Sequence, residues 1–549
     1  MSAAERPPLS AGLDPLVDAE AMRATDAWAI GTLGMGGGAL MEAAGAALAD
    51  AVVELVPEGL VVLVCGGGNN GGDGYVAARL LAAQGRPVRL VSTVDDGRLR
   101  GDAAAARDAF GPGVPWGPGA LDGAAVIVDA VLGTGARDAP RGVAAEAIAA
   151  ITRAAAGDPG APATATTPRA AETPGPAVPV VACDVPSGVD ATTGETPGDH
   201  AVTATTTVSF HAAAPGHWIA PGKSRTGRLV VAPIGIPSRP DDTVPAPWGG
   251  VLTPRLVDAL PTRGADGTKF RSGHVVVLGG SPGMSGAPCL AARGAMRGGA
   301  GYVTVAAPAS IEAGILARAP VEALGLVLPD DDEGGVTAAA ADPVLDALAG
   351  HGGTLVVGPG LGRGGERGTL VRDLVARVAG PVVFDADALA AVAGDPEALA
   401  GSDPDRPTVL TPHAGELARL LDVATPDVTA RRLHHAREAA RRAHAVVVLK
   451  GDDTLVVAPD GRVAISPGGV PGLATAGTGD VLAGLVGALL ARGTDPFLAA
   501  AAGVWLHLRA GALASAEHGP DGVVARDVAD RLGQARRDAT GHGRQDPTR

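Results

Sequence analysis

The chain of 549 residues carries 44 Lys and Arg against 59 Asp and Glu, a formal net charge of -15. A single core stops growing at roughly 250–300 residues, so two domains are expected. The acidic balance offers no basic surface to a phosphate backbone or an anionic membrane, which excludes nucleic acid and membrane as expected partners.

The amino-terminal segment MSAAERPPLSAGLDPLVDAE has prolines and acidic residues where a secretory signal needs a basic start and an apolar run. No uninterrupted apolar stretch reaches the roughly 18 residues of a membrane span, so a cytoplasmic location is expected. Cys65, Cys183 and Cys289 are odd in number, far apart and set among small or apolar residues. They read as core side chains in a reducing compartment, not as a disulfide or metal framework. Aromatics make up 2% of the chain, so the core must be built of small aliphatic side chains on closely approaching elements.

In chain order, a buried strand from Leu60 (LVVLV) leads into a glycine turn, a helix from Tyr75 to Gln84, the strand VRLV, a helix from Gly101 to Phe110 and the strand AAVIVDA. Strands alternating with helices predict right-handed βαβ units and a parallel sheet covered by helices. Residues 154–179, rich in Ala, Pro, Thr and Gly without apolar periodicity, read as a disordered insertion before the strand VPVVACD. Dense proline and glycine in PIGIPSRPDDTVPAPWGG mark the domain boundary. Domain one is expected over 1–238, a linker over 239–250, domain two over 251–535, and a polar tail over 536–549 that frays. In domain two the strand HVVVLGG, a helix from Ala287 to Arg297 and the strands YVTVAAP, TLVVGPG, VVFDADA, TVLTPH, AVVVLKG and DTLVVAP predict a second parallel sheet with helices on its faces.

Rare residues carry information here. Asparagine occurs only as Asn69 and Asn70, inside CGGGNNGGDGY, and lysine only at 223, 269 and 450, the last in VVVLKGDDT. An ammonium kept where guanidinium is otherwise the rule points to a compact point charge, and the context of Lys450 favours a functional one. Tyr75 and Tyr302, each beside a glycine cluster, read as core anchors.

Ligands of open parallel sheets bind at the carboxyl ends of the strands, where domain one has GGGNNGGDG, DAVLGTGARDAP and CDVPSGVD. Glycines turn backbone N–H groups towards an anion, and the helix that follows adds its positive end. Asn70, Asp129 and Ser187 offer hard oxygens of low total charge, a set that suits potassium better than zinc. Asp184, at a strand end beside Pro186, is the carboxylate for acid/base work; an aspartate that only caps this turn is the competing reading.

In domain two, GGVPGLATAGTGDVLAGLVGALLA presents the N–H groups of Ala476 to Gly479 as an anion hole with Asp480 as a base at its mouth. That arrangement alone indicates phosphoryl transfer to a hydroxyl, as in a vitamin or sugar kinase with domain one as an accessory. A third reading makes domain one a binding module without chemistry, against which Asn69, Asn70 and Asp184 together argue.

GGGNNGGDGYVAAR, DAVLGTG, DVPSGVD and VVAPIGIP resemble the epimerase domain of the bifunctional NAD(P)H-hydrate repair enzymes over nearly all of domain one. KFRSGHVVVLGGSPGMSGAPCLAARGAMRGGAGYVTVA, VVGPGLG, FDADAL, LTPHAGELARL and VLKGDDT are similar to their ADP-dependent dehydratase, and the GTGD turn to that of ribokinase-like kinases. The resemblance implies a Rossmann-like three-layer α/β domain that interconverts R and S hydrates of NADH or NADPH, followed by a ribokinase-like α/β domain. There ADP phosphorylates the S hydrate, and loss of phosphate restores the nicotinamide.

Carried over, the hydrate in the first site would meet Asn69, Asn70, Gly71, Gly72, Asp73, Gly133, Thr134, Gly135, Ala136, Arg137, Asp138, Ala139 and Asp184, with potassium on Asn70, Asp129 and Ser187. In the second, Ala287, Gly360 or Gly362, His413 and Asp480 would face the hydrate. Lys450, Gly451, Asp452, Asp453, Thr454 and Gly479 would face the adenine nucleotide, with magnesium on its phosphates. For His413 a buried, satisfied histidine is the alternative. The resemblance also implies a homo-oligomer. Two departures stand out: Ala214 where such domains carry lysine, and Thr268 where relatives commonly have histidine.

Overall fold

The computed structural model describes residues 9, 11–157, 177–198, 200–237, 244–350, 352–401, 403 and 405–542. Most of the expected insertion, five of the twelve linker residues and the end of the tail lie outside the described residues. The chain divides into two compact units: one is Leu16–Pro247, the other joins the stretch up to Pro15 to Trp248 and everything after it.

The first strand, β1 (Leu13–Leu16), corrects the expectation that domain one begins at residue 1. It lies at the edge of the second unit's sheet, Leu13 is buried with Leu252 and Leu256, and the Thr253 hydroxyl donates to the Gly12 carbonyl at 2.7 Å.

In Leu16–Pro247 the strands are β2 (Leu60–Cys65), β3 (Val88–Ser92), β4 (Val114–Pro115), β5 (Ala124–Ala130), β6 (Val180–Cys183), β7 (Thr206–Phe210) and β8 (Arg228–Ala232). They form one parallel sheet in the order β4-β3-β2-β5-β6-β7-β8. Along β2, Val61, Leu63 and Cys65 face a core with Leu48 and Val52, while Val62 and Val64 face another with Ile148 and Ile151. A strand buried on both faces reads as the continuous apolar run seen in LVVLV, and helices on both sides make three layers. The strand order reverses between β2 and β5, so the binding crevice opens at their carboxyl ends.

The helix after β2 spans Asn69–Ala83, starting at Asn69 rather than at Tyr75. Its glycines serve close packing: a Cβ at Gly71 would stand 2.0 Å from the Gly66 carbonyl oxygen, and one at Gly74 would stand 2.6 Å from the Cys65 sulfur.

The second unit adds β9 (Gly249–Leu252), β10 (His274–Leu278), β11 (Tyr302–Pro308), β12 (Leu324–Leu328), β13 (Thr354–Val357), β14 (Val382–Phe384), β15 (Thr408–Leu410), β16 (Val446–Leu449), β17 (Leu455–Val457) and β18 (Val463–Ile465). The sheet order is β1-β9-β18-β17-β16-β15-β14-β13-β10-β11-β12. It is not wholly parallel as expected, because β17 runs antiparallel to both β16 and β18. Residues 450–454 cannot make a parallel crossover, which needs about a dozen residues or more. The order reverses between β10 and β13, placing the second crevice at their ends.

Helices Gly286–Gly298 and Thr478–Ala491 cover β10 on one face. A Cβ at Gly484 would meet the Ala291 carbonyl oxygen at 1.9 Å, and one at Gly294 would meet that of Val481 at 2.3 Å, the close approach expected of an aromatic-poor core. Helix Pro496–His518 is long and apolar enough to cross a membrane by composition, and 67% of its apolar window is buried inside the protein. The expected frayed tail is helical to its last described residue, in Ala525–His542.

Candidate active sites

The first crevice is a cleft of about 570 Å³ at the ends of β2, β5 and β6. Asn69, Asn70, Asp73, Gly133, Thr134, Gly135, Ala136 and Asp184 line it. Gly71 and Gly72 are buried in the packing of their helix, and Arg137, Asp138 and Ala139 are not among the lining residues, which narrows the expected hydrate contacts. Lysine-free Ala214 is buried, and its N–H donates to His217 Nδ1 at 3.0 Å.

Asp184 sits at the centre of a γ-turn, with φ 65 and the Val185 N–H donating to the Cys183 carbonyl at 2.8 Å. Such a turn is strained for a residue with a Cβ, and strain of this kind concentrates at functional sites. The Thr134 N–H donates to the Asp184 carboxylate at 3.3 Å.

Asp184 has carboxylate company that the sequence did not reveal. Asp26, on helix Ala19–Gly31, lines the same cleft, and Asp73 is buried beside it. Burial raises Asp184, and burial with the nearby Asp184 charge raises Asp26 to about 6. Burial and the charges of Asp184 and Asp26 push Asp73 well above the carboxylate range. No ion pair engages any of the three among the described residues. Carboxyl groups so coupled do not titrate independently, and a proton on one favours the ionised form of its neighbours.

Asp129, fully buried at the end of β5, accepts from the Ser187 N–H at 2.8 Å and from its hydroxyl at 2.6 Å. Burial still raises Asp129 to about 6, with those bonds opposing. Both polar side-chain atoms of Asn70 are buried without a hydrogen-bond partner.

In the second unit the loops after β10 and β13 interlock. Ser281 donates to the Gly360 carbonyl at 3.0 Å, and Gly360, at φ 62, leaves room where a Cβ would stand 3.1 Å from that of Ala287. The Gly362 N–H donates to Asp387 at 3.0 Å. At the ends of β14, β15 and β16, Lys450 Nζ lies 3.1 Å from Asp385 and 3.8 Å from Glu416. Asp480 occupies the first turn of Thr478–Ala491, after Gly477 at φ 91. Burial, then the charge of Asp385, raises Asp480 to about 7, and Lys450 opposes. Asp385 and Glu416 went unsingled in the sequence, although FDADAL and HAGE hold them at strand ends.

His413 is the N-cap of helix Ala414–Leu421: its Nδ1 accepts from Gly415 at 3.0 Å and its own N–H donates to Glu416 at 2.9 Å. The ring is therefore fixed, with Nε2 3.4 Å from the Glu416 carboxylate, and the side chain is exposed rather than buried.

A cavity of about 440 Å³ adjoins this cluster, and Lys450, Gly451, Asp452, Thr454 and Gly479, five of the six residues the resemblance assigned to the nucleotide, line it. Asp453 is a correction. It does not line the cavity; its carboxylate is buried and pairs with Arg432 at 2.8 Å. The tight turn Lys450–Thr454 sends neighbouring aspartates to opposite sides, with Asp452 accepting from the Gly469 N–H at 2.6 Å.

Residues 275–534 match the family model of NAD(P)H-hydrate dehydratase, and residues 37–216 match that of the YjeF-related protein N-terminus. The bifunctional NAD(P)H-hydrate repair enzyme Nnr of Moorella thermoacetica is 39% identical over 484 residues, 86% of this chain and 86% of the relative. The chain belongs to the bifunctional NAD(P)H-hydrate repair enzymes. Family members from Salinibacter ruber, 36% identical over 97% of this chain and 98% of the relative, and from Escherichia coli, 34% identical over 86% and 84%, span both units as well. A solved ADP/ATP-dependent NAD(P)H-hydrate dehydratase from Bacillus subtilis, co-crystallized with ATP and Mg2+, is 28% identical with a TM-score of 0.44, covering 52% of this chain and 97% of that one. This repair enzyme thus has an epimerase domain and a dehydratase domain.

Proposed function

We propose that Asp184, with Asp26 and Asp73, catalyses epimerisation in the first cleft, and that Asp480 is the base of an ADP-dependent dehydration in the second. In a hydrated nicotinamide the hydroxyl sits on a ring carbon bonded to the ring nitrogen. A protonated carboxyl of the cluster gives its proton to that hydroxyl; the C–O bond breaks as the nitrogen lone pair forms C=N, and water leaves. Water then adds to the other face, forming a new C–O bond while a carboxylate takes its proton. The cluster supports this because three carboxyls, each raised by burial, line one cleft.

Potassium fits the residues proposed for it. Asn70 has an unpartnered buried amide oxygen, and Asp129 is buried without a countercharge among the described residues. Asn70, Asp129 and Ser187 would hold the ion, whose charge would favour the ionised form of Asp129 and fix the loops after β2, β5 and β6.

In the second site the hydrate hydroxyl attacks the terminal phosphorus of ADP, its proton passes to Asp480, and the bond to AMP breaks. Expulsion of phosphate with loss of a ring proton restores the double bond, releasing AMP and phosphate. The N–H groups opening helix Thr478–Ala491 stabilise the transferring group, and Lys450 neutralises phosphate charge. Asp385 and Glu416 supply hard oxygens that would face magnesium and its water shell.

The observation that carries the reading is Asp480, raised to about 7 at the mouth of this helix terminus and beside Lys450. With S hydrate, ADP and magnesium, wild type should release AMP and phosphate in step with restored nicotinamide, and Asp480→Asn should release neither. Undiminished release from the variant contradicts it. A cytoplasmic homo-oligomer belongs to the same reading; three buried free cysteines fit a reducing compartment.

A further inference from the structure

Helix Pro496–His518 carries one imidazole into the cavity beside Lys450. His507 is 7% exposed, and among the cavity's lining residues it stands with Thr478 and Gly479 of the anion hole and with the apolar Val504 and Leu508 of its own helix. Its Nε2 is buried without a hydrogen-bond partner, a condition that buried polar atoms rarely keep. A neutral imidazole has one acceptor nitrogen, and Nε2 is the ring atom left for a ligand. Burial keeps the ring neutral, lowering it to about 4. The dehydration steps above make no use of it.

We propose that His507 Nε2 accepts a hydrogen bond from the nucleoside part of ADP. The inference rests on the nucleotide reading of this cavity. Adenosine offers two kinds of donor, the 6-amino group of the base and the ribose hydroxyls. Guanine carries a carbonyl at the position of that amino group, which would oppose lone pair to lone pair. Apolar walls at Val504 and Leu508 suit the flat face of a base.

The test is titration calorimetry on the full-length enzyme with ADP, purine riboside diphosphate, which lacks the amino group, and 2′- and 3′-deoxy-ADP. Loss of the donor that meets His507 should weaken wild-type binding about 5-fold to 10-fold, the effect of one hydrogen bond. A loss confined to the purine riboside assigns the bond to the base, and one confined to a deoxynucleotide assigns it to the ribose. In His507→Phe the discrimination should vanish. Equal binding of all four ligands by wild type, or discrimination that survives in H507F, overturns the inference while leaving the nucleotide site standing. Absence of ADP binding overturns both. Should H507F not fold, 15N-imidazole spectra of wild type decide: ADP should shift the bare Nε2 resonance of a neutral histidine that is absent in His507→Gln, and an unmoved resonance overturns the proposal.

Discussion

His217 donates from Nε2 to the main-chain carbonyl of Asp184 at 2.8 Å, its Nδ1 being occupied by the Ala214 N–H at 3.0 Å. The two bonds fix one tautomer, and burial lowers the ring to about 4, so it stays neutral. His217 thereby braces the strained turn that aims the Asp184 carboxylate, a positioning role built beside Ala214.

His217→Phe, which keeps the ring volume and removes the donor, should slow epimerisation by roughly 10-fold to 100-fold, the cost of a small misplacement of a reacting group. The loss should fall on kcat more than on KM. Dehydration of pure S hydrate by the same variant should be unchanged, and a matching loss there would mean general destabilisation.

Asp184→Asn should lower epimerisation by about 10²-fold to 10⁴-fold, the usual worth of a positioned acid/base group. The same variant removes the charge that helps hold Asp26 at about 6. Carboxyl titration by NMR should then place Asp26 below that value, since loss of a like charge favours ionisation. An unmoved Asp26 would show that the two carboxyls do not interact.

Asp480 must be ionised to accept the hydroxyl proton, and it is raised to about 7. The rate of dehydration should therefore climb with pH through about 7 and level off above it. Lys450→Met removes the cation that opposes this shift, so its profile should move to higher pH while ADP binding weakens. A profile flat from 6 to 8 in wild type would exclude Asp480 as the base.

Asp453 pairs with Arg432 where both side chains are buried, and it does not line the cavity. Asp453→Asn should cost about 3–5 kcal/mol of stability by leaving a buried guanidinium uncompensated. The change should be seen in urea midpoint, with the Kd of ADP for folded protein nearly unaltered.

Much of both crevices was legible because buried parallel strands are continuous apolar runs and chemistry gathers at their carboxyl ends. Asn70, Asp184, Lys450 and Asp480 all lie one to five residues beyond such runs, or at the first turn of the next helix. What escaped was set by partners distant in sequence. The four residues LDPL carry no pattern that would announce pairing with Gly249–Leu252. Glycines that read as a turn at Gly71 and Gly74 are helical because neighbours press within Cβ distance. Asp26 sits in an ordinary helix and becomes informative only when β6 brings Asp184 to it. Asp452 and Asp453 are indistinguishable in sequence, and one tight turn divides them between cavity and core.

One chain carries the means to correct both stereochemistry and hydration of the same damaged cofactor. Purified protein with ADP, magnesium and potassium, given an equal mixture of R and S hydrates, should restore nicotinamide absorbance to completion. Restoration that stops at half, the S fraction alone, would contradict the epimerase assignment, and no restoration would contradict the dehydratase.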